Sequence, residues 1–180
     1  IAAQKHAVAL NNESALEVLA AHLDVQFKSS PTFRASIVIL EGENVTDIIR
    51  SQECGEKASI IAQLSKVRTA LLERQREFAE NPGLVTDGRD MGSVVFPDAF
   101  LKIYLDASVE IRAKRRYLQL KEKGIESNLS DLVAEISERD ERDSNRTVAP
   151  LRPANDALQL DSTRLGIDAV FKQVSALCAG

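Results

Sequence analysis

The sequence predicts an α/β protein, a parallel sheet covered by helices with a small antiparallel insert at about residues 24 to 49. Three observations carry this expectation. In the second half, the strand-like runs LVTD, FLKIYLDA and ALQLD are separated by helical stretches, the alternation of a parallel sheet. In the first half, DVQF, SIVIL and VTDII follow one another at hairpin spacing, with the turn-like EGEN between the last two. Finally, 180 residues with 44% hydrophobic and 28% charged side chains have the length and balance of one globular domain.

The elements follow in order. IAAQKHAVAL reads as the end of a helix, and NNESALEVLAAHL starts another, with Asn11 or Asn12 as cap and Leu16, Leu19 and Leu23 as its apolar face. After the insert, Ile60, Ile61, Leu64, Val67 and Leu71 recur at helical spacing, giving one long helix or two abutting ones, with Asn81-Pro82-Gly83 as the stop. Ser108 caps a helix that ends at Gly124, and Asn128 or Ser130 caps the next, which runs to about Asn145. A last amphipathic helix carries Ile167, Val170, Phe171, Val174 and Leu177.

Charge and composition exclude several function classes. With 23 Lys+Arg against 27 Asp+Glu, no tryptophan and 4% aromatics, neither a broad basic stripe nor a stacking platform for nucleic acid is present. No apolar run approaches the roughly 18 residues of a membrane span. Cys54 and Cys178 are far apart and have no metal-ligand spacing, so neither a disulfide framework nor a zinc site is indicated and a cytoplasmic setting fits. The chain opens on Ile1 and its only methionine is Met91, which predicts that residues precede it. GxSxG, HExxH, GxGxxG and GxxxxGK[ST] are all absent, so the usual P-loop grip on a triphosphate is not expected of residues 1–180.

Three clusters could carry chemistry. In open α/β sheets, ligands bind beyond the carboxyl ends of the strands, where LVTD is followed by Asp87-Gly88-Arg89-Asp90-Met91-Gly92. Arg89 suits phosphate through its bidentate fork, whereas the plain alternative is an Asp-Gly turn with a self-satisfied ion pair. The second cluster is Glu138 to Arg146: the apolar stripe Leu129, Leu132 and Ile136 continues through Arg139, Asp143 and Arg146, so a core-facing side turns ionic. A solvated helix laced with ion pairs would put its charges on the outward face instead. The third is Arg112, Lys114, Arg115 and Arg116, cations in the first turns of a helix, where they oppose the macrodipole. An incoming polyphosphate would explain them, and so would a basic surface patch. Ser59 and Arg68 stand out only as polar residues in an apolar helical region.

Taken together, DGRDMG, ERDERDSNR and LQLDST, with LDVQF, ILEGENVTDIIRSQE and KVRTALLERQREF, make the chain resemble bacterial-type cytidylate kinases over nearly its whole length. The resemblance implies a P-loop nucleoside monophosphate kinase fold over 1–180, incomplete at its N-terminus, with residues 24–49 as the insert of the monophosphate-binding region and 112–146 as the lid region. It also implies transfer of the γ-phosphoryl of ATP to CMP or dCMP, with Mg2+ arriving with ATP. Composition, as above, points to a cytoplasmic protein that binds no nucleic acid and no membrane, and a monomer is expected because no apolar helical face is left over once the core is assigned. By the same resemblance, Ser59, Arg68 and Asp90 surround the cytosine, and Asp90 orients Arg68. Arg89 holds the CMP phosphate, with Asp87 in the same substrate-binding set. Arg139 and Asp143 contact sugar and phosphate, Arg146 bridges toward the transferred phosphoryl, and Arg112, Arg115 and Arg116 approach the ATP phosphates. Because the P-loop is absent from these residues, a non-catalytic CMP-binding module or pseudo-kinase is the alternative reading. A two-residue longer turn near Ser29-Ser30-Pro31-Thr32 is expected to be harmless.

Overall fold

The structure, a computed structural model, describes residues 1–28 and 36–179, so the turn near Ser29 to Thr32 lies outside the described residues. The chain forms two compact units, Ile1–Leu84 and Val85–Gly180, each described by itself.

In the first unit, α1 (Ala2–Lys5) and α2 (Glu13–Ala21) precede the strands. Asn12 caps α2 by accepting the Ala15 N–H at 3.2 Å. The antiparallel insert is β1 (Val25–Lys28), β2 (Ile37–Leu40) and β3 (Glu43–Asn44), in that spatial order. Its last strand is not VTDII. Glu41 and Gly42 both adopt positive φ, 49° and 80°, the geometry of a tight two-residue hairpin turn, so pairing resumes at once with Leu40 opposite Glu43. The following residues then leave the ladder, and Ile48–Arg50 forms a 3₁₀ turn. Val38, Leu40 and Val45 are buried beneath this sheet.

The long helical region breaks into α3 (Gln52–Ile61) and α4 (Ser65–Arg76). The second ends before Asn81-Pro82-Gly83, where the sequence placed the stop. α2 packs on α4 through Leu16, Ala20 and Val67, with Ala3 of α1 completing the core. This core holds the α3–α4 corner in place.

The second unit contains β4 (Ile103–Asp106) and β5 (Leu158–Asp161), paired in parallel from Ile103 opposite Leu158 to Asp106 opposite Asp161. LVTD is not a strand: a strand exists through its ladder, this segment has none among the described residues, and Val85 is 101% exposed. A single π-helical turn, Met91–Val95, follows it. Then come α5 (Val109–Glu122), capped by Ser108, and α6 (Leu129–Ser144), capped by Asn128. Gly124, at φ 70°, supplies the left-handed residue that ends α5. The two helices pack as a hairpin over Ala113 and Leu132.

The final helix is α7 (Ile167–Ala179). Its apolar face is not covered by the described residues: Ile167 is 84% and Phe171 71% exposed. A monomer was expected because no apolar helical face remained over, and that ground does not hold. No helix among the described residues is long and apolar enough to cross a membrane.

Candidate active site

The inward stripe of α6 does turn ionic. Asp143, on its last turn, is 1% exposed, and three guanidiniums surround it. Arg89 Nε lies 2.8 Å from Oδ2, Arg146 Nη2 lies 2.9 Å from Oδ1, and Arg139 Nε reaches to 3.9 Å of Oδ2. A lone buried carboxylate is costly, and so is a lone buried guanidinium; each makes the other tolerable here. Asp143 also ties its own helix end to the chain beyond, because the Leu151 N–H donates to its carbonyl at 2.8 Å.

Asp140, one turn earlier, extends the cluster. It stands 3.7 Å from Arg89 Nη1 and 2.6 Å from Arg112 Nη2, so it bridges the 85–90 segment and α5. In these ion pairs four arginines face two carboxylates, leaving an excess of two positive charges. Burial, and repulsion from Arg89, push the Arg139 guanidinium down from its ordinary pKa, with Asp143 and Asp140 opposing. An arginine does not lose its proton, so the consequence is a site that gains by admitting an anion. Geometry agrees. Arg139 Nε and Arg146 Nη2 are buried and, among the described residues, neither is aligned on a hydrogen-bond acceptor.

The preceding segment is shaped for the same purpose. Asp90 ends it, and its carbonyl accepts from Val94 N at 2.9 Å and Val95 N at 3.2 Å, which opens the π-turn. Gly88 lets the Met91 side chain come close, since a Cβ there would stand 2.8 Å from Met91 Cγ. Asp87 is exposed, while Arg89 and Asp90 are half-buried.

The basic cluster on α5 is only partly solvated. Arg112 Nε donates to the Ala107 carbonyl at 2.9 Å, and its other end meets Asp140. Arg115 donates to Ser162 Oγ, the Ser162 carbonyl and the Leu165 carbonyl, at 3.0, 2.5 and 3.1 Å. In this arrangement Arg112 is a bridge to α6 and Arg115 a strut to the turn after β5. These bonds satisfy Arg112 and Arg115, two of the cations that oppose the dipole of α5. Arg116 is half-buried on the same helix.

In the first unit, Ser59 and Arg68 belong to the α3–α4 corner. Ser59 is 4% exposed in the last turn of α3. Arg68, in the first turns of α4, folds back so that Nη1 donates to the Ala62 carbonyl at the C-cap of α3, at 3.4 Å. Sequence reasoning missed Asp140, whose place one residue after Arg139 puts it on the side of α6 toward α5. It also missed Lys102, buried next to the π-turn.

Arginines held around a buried acid, on an α/β frame, are the equipment of a protein that grips phosphate and transfers it. The known proteins make this specific. The cytidylate kinase family model matches residues 1–179. A cytidylate kinase of Azotobacter vinelandii (strain DJ / ATCC BAA-1303) is 60% identical over 173 residues, 96% of this chain and 76% of that protein. One of Pseudomonas aeruginosa (strain LESB58) is 60% identical over 177 residues, 98% of this chain and 77% of that protein. The chain belongs to the cytidylate kinase family, and its fold class is that of the P-loop nucleoside monophosphate kinases.

Proposed function

We propose that this protein is an ATP-dependent cytidylate kinase that phosphorylates CMP or dCMP, and that the Asp143-centred cluster is its acceptor-phosphate site. The observation that carries the assignment of this cluster is the buried Asp143 held among Arg89, Arg139 and Arg146, three guanidiniums to one buried carboxylate. In the reaction, an oxygen of the CMP phosphate supplies the electron pair to the γ-phosphorus of ATP; the bond from that phosphorus to the bridging oxygen breaks, ADP leaves and CDP forms. The barrier is largely repulsion between two anions, which fixed guanidiniums lower without having to reorganise.

Arg89 and Arg139 hold the acceptor phosphate, and Arg146 reaches toward the group in transfer. Asp143 keeps the three in place, and Asp87 stands with Arg89 in the substrate set. Ser59 and Arg68 read the cytosine, with Asp90 as acceptor for its exocyclic amine. Uracil presents a carbonyl at that position and would leave the acceptors unpaired. On the donor side we assign Arg116 together with Arg112 and Arg115, the last two exchanging their present partners for ATP phosphates. Residues 24–49 and 112–146 serve as monophosphate-binding insert and lid, and the free cysteines fit a cytoplasmic enzyme.

Among the described residues no group of three or more His, Cys, Asp or Glu is placed to hold a metal. Magnesium would arrive with ATP and neutralise charge on its phosphates. The test is steady-state phosphorylation of CMP by the intact enzyme and its Arg89→Ala variant, with folding followed by circular dichroism. A loss of about a hundredfold or more in kcat/KM, with the fold retained, is expected. Unchanged activity overturns the phosphate assignment.

A further inference from the structure

Lysine is among the residues least often buried, because its ammonium must be desolvated. Lys102, at the threshold of β4, is buried all the same, its side chain only 6% exposed. Three pieces of the second unit meet on it. Its carbonyl accepts the Leu158 N–H at 2.9 Å, the first rung between β4 and β5. Its ammonium lies 2.5 Å from Asp156 Oδ2, in the turn before β5 that the Ala157 N–H to Ala154 carbonyl bond closes at 3.0 Å. Its aliphatic stem lies against Gly92, in the π-turn that begins immediately after Asp90. A Cβ on that glycine would stand 3.3 Å from both Cγ and Cδ of Lys102, so the backbone of the turn rests closely on the lysine and any side chain there would have to push the stem aside.

A filler for the space under Gly92 need not be charged. Leucine or methionine would supply the same volume without desolvating an ammonium. What lysine adds is a fixed far end: the stem crosses beneath the turn and the head is tied to a carboxylate at the surface, 66% exposed. That tether sets where the stem lies, and the stem sets the height of the backbone carrying Arg89 and Asp90. The two hydrogen bonds from Val94 and Val95 to the Asp90 carbonyl pass the constraint directly to Asp90.

We infer that Lys102 is a positioning residue for the Arg89–Asp90 segment, acting through Gly92 and held by Asp156. The inference rests on the reading of Arg89 and Asp90 as contacts to CMP. It distinguishes the lysine from a core residue, since a core residue affects stability alone, whereas a support beneath one substrate's contacts affects that substrate alone.

The test compares Lys102→Met, which keeps the stem, with Asp156→Asn, which alters only an exposed partner, in the intact enzyme. KM for CMP and KM for ATP are measured separately, beside thermal unfolding and an Arg89→Ala control. Lys102→Met is expected to raise KM for CMP roughly tenfold, a fraction of the hundredfold that a misplacement of about 1 Å can cost, and to leave KM for ATP within a factor of two. Asp156→Asn gives a smaller rise of the same kind with only a small change in the thermal midpoint. Equal KM values in both variants and parent overturn the inference, as does a rise in both KM values that tracks lost stability. If Lys102→Met does not fold, Asp156→Asn decides alone. An Arg89→Ala enzyme with unchanged CMP kinetics removes the underlying reading instead, and the inference falls with it.

Discussion

The α3–α4 corner and the last turns of α6 both present arginine next to a buried polar residue, and they satisfy it in opposite ways. At the corner, Arg68 donates to a neutral backbone carbonyl, and the buried residue is Ser59, in the last turn of α3. On α6, the arginines meet carboxylates, and the buried residue is the anion Asp143. The first arrangement, a guanidinium bonded to a neutral carbonyl, offers directional hydrogen bonding, which suits discrimination between bases. The second is rich in charge, which suits phosphate.

The largest effect expected is at Asp143. Asp143→Ala leaves the buried Arg146 without its carboxylate and should cost about 3–5 kcal/mol of stability, read as a lowered urea midpoint. A drop of less than about 1 kcal/mol would mean that solvent already screens the cluster and that the charge contrast is overstated. At the corner, Ser59→Ala should cost about 1 kcal/mol of CMP binding, a several-fold rise in KM, with kcat at saturating CMP unchanged and the preference over UMP reduced. A loss confined to kcat would place Ser59 on the phosphate side and remove the contrast.

The smallest effect concerns pH. The hydrogen bond from Lys102 holds the Asp156 carboxyl below its ordinary pKa. A depressed folded pKa contributes stability above the unfolded value, about 3.9, and that contribution disappears as pH falls through the folded one. The difference in melting temperature between parent and Asp156→Asn should therefore be small, constant from about pH 5 to 8, and absent near pH 2. A difference that persists in acid would show that the neutral pair, not the ion pair, is what matters.

Much of this was legible in the sequence, for identifiable reasons. The ionic continuation of the α6 stripe is a periodicity signal, and the caps at Asn12, Ser108 and Asn128 are local chemistry, so both survive without tertiary knowledge. LVTD failed as a strand because β-branched composition is only half of the definition; the other half is a partner. VTDII failed because the Glu41-Gly42 turn fixed the register two residues earlier than the apolar pattern suggested. Lys102 was hidden since a lysine at a strand entrance reads as solvent-facing, and only a glycine distant in sequence reveals otherwise. Ser59 and Arg68 have no spacing signal of their own, and their assignment rests on the family resemblance.

The two-charge excess around Asp143 has a consequence for binding. A phosphate monoester near neutral pH carries close to two negative charges, so on the proposed reading CMP would bring the cluster to balance. A nucleoside brings none and leaves the guanidiniums repelling one another. On the proposed reading, a nucleoside without its phosphate should therefore bind far more weakly than the monophosphate.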